Sequence, residues 1–170
     1  MDLEHQEWIR LCVTEHQRAL VAYAVRFLDD VGRAQDIVQE AFIRLCREPR
    51  EKITPRERQW LFTVCRNLAM DILRKEKKMT QLDHKMIEGH PAPEPSPSDG
   101  AENREEGQNL LSLLNRLPPN QRETIRLKFL HDMSYKEISD VTGLSVSNVG
   151  FLIHTGLKQM RTRLRAGTAA

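Results

Sequence analysis

Ser134-Tyr-Lys-Glu-Ile-Ser-Asp-Val-Thr-Gly-Leu-Ser-Val-Ser-Asn-Val149 is the stretch whose reading decides the fold. Ser134 and Glu137 stand at the spacing of a capping box, in which each side chain satisfies a backbone N–H at the start of a helix. The helix they open is short, with Ile138 and Val141 facing inward. Gly143 permits the positive φ of a tight helix-to-helix turn. Ser145 then caps a last helix from Val146 to about Leu164, carrying Val149, Leu152, Ile153, Leu157, Met160 and Leu164. Two helices joined in this way form a helix-turn-helix, whose second helix enters the major groove with its N-terminal side chains on base edges. Here those side chains are Val146, Ser147 and Asn148, and an Asn amide pairs with an adenine edge through two hydrogen bonds. Lys128, Lys136, Lys158, Arg161 and Arg163 lie where they could hold phosphates. The competing reading is a plain helical hairpin within a bundle.

Upstream of this motif, helical spacing continues and no sustained alternation occurs. A helix over about Asn103–Arg116 carries Leu110, Leu111, Leu113 and Leu114, with Leu117 following. Pro118-Pro119 ends it and starts another from Asn120 to about Leu130, with Ile125, Leu127, Phe129 and Leu130 as candidates for burial. Residues 110–170 thus form a four-helix domain. Residues 79–109 differ in kind. They hold Pro91, Pro93, Pro95 and Pro97, carry a net charge of −5 and lack large apolar clusters, so they are expected to be a flexible acidic linker. The segments on either side, 54–78 and 120–170, each carry +4. Two basic segments held apart by an acidic one suit two contacts with a polyanion.

The first 78 residues also read as helices. Trp8, Leu11, Cys12, Leu20, Tyr23, Ala24, Phe27 and Leu28 fall on one face of a first helix, with a break expected near Thr14. Asp29-Asp-Val-Gly32 is a turn, and Asp30 is placed to cap a second helix. There Ala34, Ile37, Val38, Ala41, Phe42 and Leu45 form an unbroken apolar stripe opposite Asp36, Gln39, Glu40 and Arg44. Arg47 to Thr54 reads as a charged loop. Thr54-Pro-Arg-Glu57 then reads as cap, N1 proline and capping-box Glu of a third helix, from Pro55 to about Lys78. Its expected buried stripe is Trp60, Leu61, Val64, Leu68, Ile72 and Leu73, while Arg66, Asn67, Asp71, Arg74 and Lys75 lie to one side. A basic, amide-bearing helix beside an aromatic ring can hold a single strand by phosphate contacts and stacking.

Composition narrows the classes. The 170 residues are 39% hydrophobic and 29% charged, with 5% aromatics and 8 Gly, which disfavours repetitive β folds and Gly-rich phosphate loops. No apolar run is long enough to span a bilayer, and the acidic start is unlike a secretion signal, so a cytoplasmic protein without direct membrane insertion is expected. Cys12, Cys46 and Cys65 are too widely spaced for a metal pair and are expected in or near the core. No nucleophile–base set, metal cluster or cofactor motif is present in the sequence, which points away from an enzyme, and neither a cofactor nor a metal is expected.

Four blocks in order carry a resemblance: Asp36-Ile-Val-Gln-Glu-Ala-Phe-Ile-Arg-Leu45, Trp60-Leu-Phe-Thr-Val-Cys-Arg-Asn-Leu-Ala69, Leu117-Pro-Pro-Asn-Gln-Arg-Glu123 and Met133-Ser-Tyr-Lys-Glu-Ile138. Together they resemble the two domains of bacterial extracytoplasmic-function (ECF) sigma factors, over nearly the whole chain outside the linker. The resemblance implies an all-α protein with a first domain over 1–78, a linker over 79–109 and a second domain over 110–170. It implies that Asp36, Gln39 and Glu40 dock on the clamp coiled coil of the largest subunit of core RNA polymerase. It assigns Arg58, Trp60, Arg66, Asn67, Asp71, Arg74 and Lys75 to the single-stranded −10 element, with Arg47–Arg58 matching the loop where a base is flipped out. It assigns Lys136, Ser145, Val146, Ser147, Asn148, His154, Lys158 and Arg161 to the duplex −35 element. An anti-sigma factor is the expected regulator.

One stretch departs from the family. Gly150-Phe-Leu-Ile-His-Thr-Gly156 replaces the Lys- and Arg-bearing turns usual on the recognition helix, and its two glycines each cost about 1 kcal/mol of helix propensity. Weaker, more shape-dependent −35 binding is expected, or an exposed apolar patch at Phe151 and Leu152 that a partner protein covers. The competing function is a helix-turn-helix repressor or activator that binds duplex without polymerase. A helical adaptor with no DNA role would leave both basic segments unexplained.

Overall fold

The computed structural model describes residues 2–86 and 105–168. All regular structure among them is helical: α1 (Leu3–Leu28), α2 (Val31–Arg47), α3 (Arg50–Ile53), α4 (Glu57–Met86), α5 (Glu105–Asn115), α6 (Pro119–Phe129), α7 (Tyr135–Thr142) and α8 (Val146–Thr168). Two compact units divide the chain. One holds α1–α4, and the other holds α5, α6, α8 and residues Tyr135–Ser139 of α7.

In the first unit α1, α2 and α4 pack on one another. Asp2 caps α1, its carboxylate accepting from the His5 N–H at 2.7 Å, and the helix runs unbroken through Thr14, whose hydroxyl donates to the Arg10 carbonyl. The break expected there is absent because Trp8, Cys12, His16 and Leu20 keep one continuous buried stripe. Leu11, expected inside, is exposed. Asp30 caps α2 as expected, accepting from the Arg33 N–H at 2.9 Å, and all six apolar positions of its stripe are buried. Arg33 pairs with Glu76, tying the start of α2 to α4.

Arg47 to Thr54 is not an open loop. It contains the turn α3, which buries Ile53. The helix after it starts at Glu57 rather than Pro55, and Thr54 does not cap it. Thr54 instead donates its hydroxyl to Glu57 Oε1 at 2.7 Å, and the same carboxylate accepts from Trp8 Nε1 at 3.2 Å. Among the described side chains of α4, Leu61, Phe62, Cys65 and Ala69 are buried, whereas Trp60, Val64, Leu68, Ile72 and Leu73 are only half-buried. The stripe is turned from the expected one because Phe62, not Trp60, packs against Tyr23 of α1, with ring centroids 5.0 Å apart. α4 continues to Met86 and α5 begins at Glu105, so helix occupies both ends of the expected linker. Residues 76–86 contain no Pro or Gly and are mostly good helix formers, so the helix can continue through this charged stretch. The proline run at 91–97 lies outside the described residues.

In the second unit α8 packs on α6 and α5. Leu114, Leu117, Ile125, Leu127, Met133, Ile138, Val149, Ile153 and Met160 form its core. Phe129 and Leu130, expected inside, are exposed, as are Leu110, Leu111 and Leu164 on the neighbouring helices. Gly156 explains itself here. A Cβ at that position would lie 2.6 Å from Ile125 Cδ1, so the glycine lets α8 approach α6 closely, which sets its propensity cost against packing.

Candidate nucleic-acid and polymerase interfaces

Three surfaces carry the residues singled out by sequence. The first is the outer face of α2. Asp36 and Gln39 are exposed and Glu40 is half-exposed, opposite the six buried apolar side chains. Glu40 accepts from Arg44 Nε at 2.8 Å, one turn on, in an exposed ion pair. Such a pair contributes little to stability, so a docking partner can exchange it at low cost.

The second surface is the outer face of α4. Trp60, Asn67, Asp71 and Arg74 are spaced i, i+7, i+11 and i+14, which puts them in one row opposite Leu61, Phe62, Cys65 and Ala69. Asp71 and Arg74 pair at 3.2 Å, leaving the row no net charge from these two. Arg66 and Lys75 flank the row, Arg66 half-buried and Lys75 exposed. Trp60 therefore belongs to the surface row more than to the core. Arg58 does not join it. Near the first turn of α4 it sits on the opposite side, close enough to His16 for its charge to disfavour protonation there.

Behind this face Trp8, His16, Thr54 and Glu57 brace α1 against the start of α4. Burial raises the Glu57 pKa, but the hydrogen bonds it accepts from Thr54, its own backbone and Trp8 outweigh this and hold it below the usual range. His16 is buried, and desolvation lowers its pKa, opposed by Glu15 and Glu57 and reinforced by Arg58. Sequence reading missed His16 because a histidine on an apolar stripe gives no pattern of its own. Cys12 and Cys65 are buried, which pushes their thiols up to about 11 and about 12. Cys46, expected in or near the core, is exposed because it follows Leu45, one residue off the buried stripe.

The third surface is the helix-turn-helix. Both halves of the Ser134–Glu137 capping box form: the Glu137 N–H donates to Ser134 Oγ at 3.2 Å, and the Ser134 N–H donates to Glu137 Oε2 at 2.7 Å. Gly143 caps α7 at φ 75°, and Ser145 Oγ accepts from the Asn148 N–H at 3.1 Å. Ser145 thus serves first as the cap of α8. Lys136, Val146, Ser147, Asn148, His154, Lys158 and Arg161 are all exposed. Ser147, His154 and Lys158 share one outward row on α8, opposite Val149, Ile153, Gly156 and Met160, and Arg161 continues it; Val146 and Asn148 flank its start. The same row contains Phe151, which is exposed, whereas Leu152 is half-buried, so the apolar patch expected at both is Phe151 alone. The spacing Ser147, Phe151, His154, Lys158 was the signal that could have placed Phe151 among the site residues. Among the described residues no cluster of His, Cys, Asp or Glu is arranged to hold a metal ion, and no helix is long and apolar enough to cross a membrane.

A helical unit with a largely polar outer face on α2 and a row on α4 headed by Trp60, followed by a helix-turn-helix unit, fits a two-domain transcription factor of the sigma type. The comparisons agree. Residues 12–79 match the Sigma-70 region 2 family and residues 107–160 match the Sigma-70, region 4 family. The chain is 30% identical over 149 residues to the ECF RNA polymerase sigma factor SigW of Bacillus subtilis (strain 168), covering 82% of this chain and 80% of that one. It is 31% identical over 138 residues to SigM of the same organism, covering 81% and 80%, and 28% identical over 154 residues to its SigV, covering 90% and 89%. In fold it is similar to the sigma factor RpoE solved with the anti-sigma factor NepR from Bartonella quintana, with a TM-score of 0.66, 20% identity, and 95% and 97% of the two chains covered. The chain belongs to the ECF sigma factors of bacterial RNA polymerase. Its function is that of an initiation subunit, and a stand-alone repressor is not favoured.

Proposed function

We propose that the three surfaces divide the work of initiation. Asp36, Gln39 and Glu40 on α2 dock on the clamp coiled coil of the largest polymerase subunit. The row of Trp60, Asn67, Asp71 and Arg74 on α4, flanked by Arg66 and Lys75, holds the −10 element as single strand, with Trp60 available for stacking. Extruding a base costs a few kcal/mol of stacking, which an aromatic surface and neighbouring cations offset. Arg58, set apart from this row, acts on the strand only through the loop before α4. Lys136, Ser147, Asn148, His154, Lys158 and Arg161, with Val146 and the cap Ser145 at the start of α8, bind the −35 duplex.

Residues 1–78 and 110–170 act as the two binding domains, and 79–109 connects them. The protein works in the cytoplasm without catalytic chemistry of its own. An anti-sigma factor regulates it; the neighbouring fold solved with one supports that reading. The observation that carries the docking assignment is the outer face of α2, where Asp36, Gln39 and Glu40 surround the exposed Ile43 opposite an apolar stripe that is buried at every position. The purified chain mixed with core polymerase is expected to initiate from a pre-melted promoter. Gln39→Ala combined with Glu40→Arg is expected to abolish that activity while leaving helix content unchanged, since neither side chain is buried. Retained initiation by the double variant would overturn the docking assignment.

A further inference from the structure

Phe151 has 65% of its surface open, more than any other large apolar side chain among the described residues of the second unit. Isolated exposed apolar residues are ordinary on protein surfaces. The position of this one is not, because it interrupts a row of hydrogen-bonding and cationic groups at its midpoint, with Ser147 one turn before it, His154 one turn after and Lys158 beyond. The residues beside it on the fold bring a further aromatic and a cation nearby. Gly150, the preceding residue, lies against the Tyr135 ring, and a Cβ there would come 3.3 Å from Tyr135 Cε2. Tyr135 is itself half-exposed and carries Lys128 Nζ 5.5 Å from its ring centroid, so α6 and α7 bring a cation to the start of α8. Lys158 and Arg161 supply cations farther along it. An apolar ring between two cationic ends matches a duplex groove, with phosphates at its rims and base edges at its floor.

Only one base edge in the major groove offers an apolar group, the C5-methyl of thymine. Asn148 lies three residues before Phe151, about 4.5 Å along the helix, close to the 3.4 Å rise of one base pair. We infer that Phe151 is a specificity-determining residue that packs on a thymine methyl in the −35 duplex, beside an adenine bound by Asn148. The recognition helix thereby gains from apolar readout part of what it lacks in basic side chains. This inference rests on the −35 reading of α7 and α8, and its test separates the two.

The full-length chain assembled with core polymerase is used to select duplexes from a pool randomised over the upstream window and joined to a pre-melted downstream segment. Selected duplexes are expected to carry thymine at a fixed position. Replacing that thymine with deoxyuridine, which removes only the methyl, is expected to weaken wild-type binding about four-fold. Phe151→Ala should lose a similar factor on the thymine duplex and no longer distinguish it from deoxyuridine, whereas Phe151→Leu should retain the discrimination. The salt dependence of Phe151→Ala should match wild type, while Lys158→Ala should lower the slope by about one. Equal wild-type binding to thymine and deoxyuridine duplexes, or thymine preference that survives in Phe151→Ala, would overturn the inference alone. Failure to select any upstream sequence by a complex that still initiates from pre-melted DNA would overturn it together with the −35 reading.

Discussion

α2 and α8 are both amphipathic helices with a functional outer face, yet they were unequally readable. On α2 the six apolar positions of the stripe are all buried and the outer face is polar but for Ile43, so one rule of spacing separates core from most of the surface. On α8 the rule fails on both faces. Gly156 has no apolar side chain but is buried, and Phe151 is apolar but exposed. The difference teaches that a helix serving as both packing element and groove reader can place a small residue where it meets a neighbour and an apolar one where it meets a ligand.

Gly150 and Gly156 of α8 sharpen that comparison. Gly156→Leu is expected to have the larger effect, since even a Cβ would come 2.6 Å from the buried Ile125. Overpacking of this kind costs roughly 1–3 kcal/mol. Both tryptophans, Trp8 and Trp60, lie in the first unit, so urea unfolding followed by tryptophan fluorescence should stay put while helix content measured by circular dichroism is lost earlier. Gly150→Ala should go the other way. Its new methyl meets only the half-exposed Tyr135 ring, which can shift, and it recovers up to about 1 kcal/mol of helix propensity. A destabilised Gly150→Ala would mean that the Tyr135 contact is as rigid as the α6–α8 contact.

The smallest expected effect lies in the first unit. Desolvation holds the His16 pKa below its ordinary 6.5 in the folded protein. The unfolded chain therefore takes up this proton first as pH falls, and the contribution to stability, fully present above about 6.5, declines as pH falls toward the lowered folded value. The urea midpoint read by tryptophan fluorescence should drop between pH 7.5 and pH 5.5, and His16→Gln should flatten that part of the profile. An unchanged slope in the variant would show that His16 does not couple acid to the α1–α4 joint.

What could be read in the sequence follows the same division. Caps and turns depend on a few adjacent residues, so Asp30, the Ser134–Glu137 box, Gly143 and Ser145 stand where spacing put them. The rotation of α4 about its axis depends on which aromatic meets Tyr23, a contact between distant residues that spacing alone does not choose. Thr54 shows the same limit. Its sequence fits a cap, but Glu57 is drawn to Trp8 as well, and the pair becomes a brace between helices. The resemblance assigns Arg58 to the −10 residues with the loop before α4, yet two residues of helix set it on the other side of α4 from Trp60.

Binding of the fluorescently labelled full-length chain to purified core RNA polymerase tests the central assignment most directly. A saturable one-to-one complex is expected, weakened about tenfold or more by Gln39→Ala with Glu40→Arg and unaffected by Phe151→Ala. No measurable affinity of the wild-type chain for core polymerase, or equal affinity of the α2 variant, would contradict it.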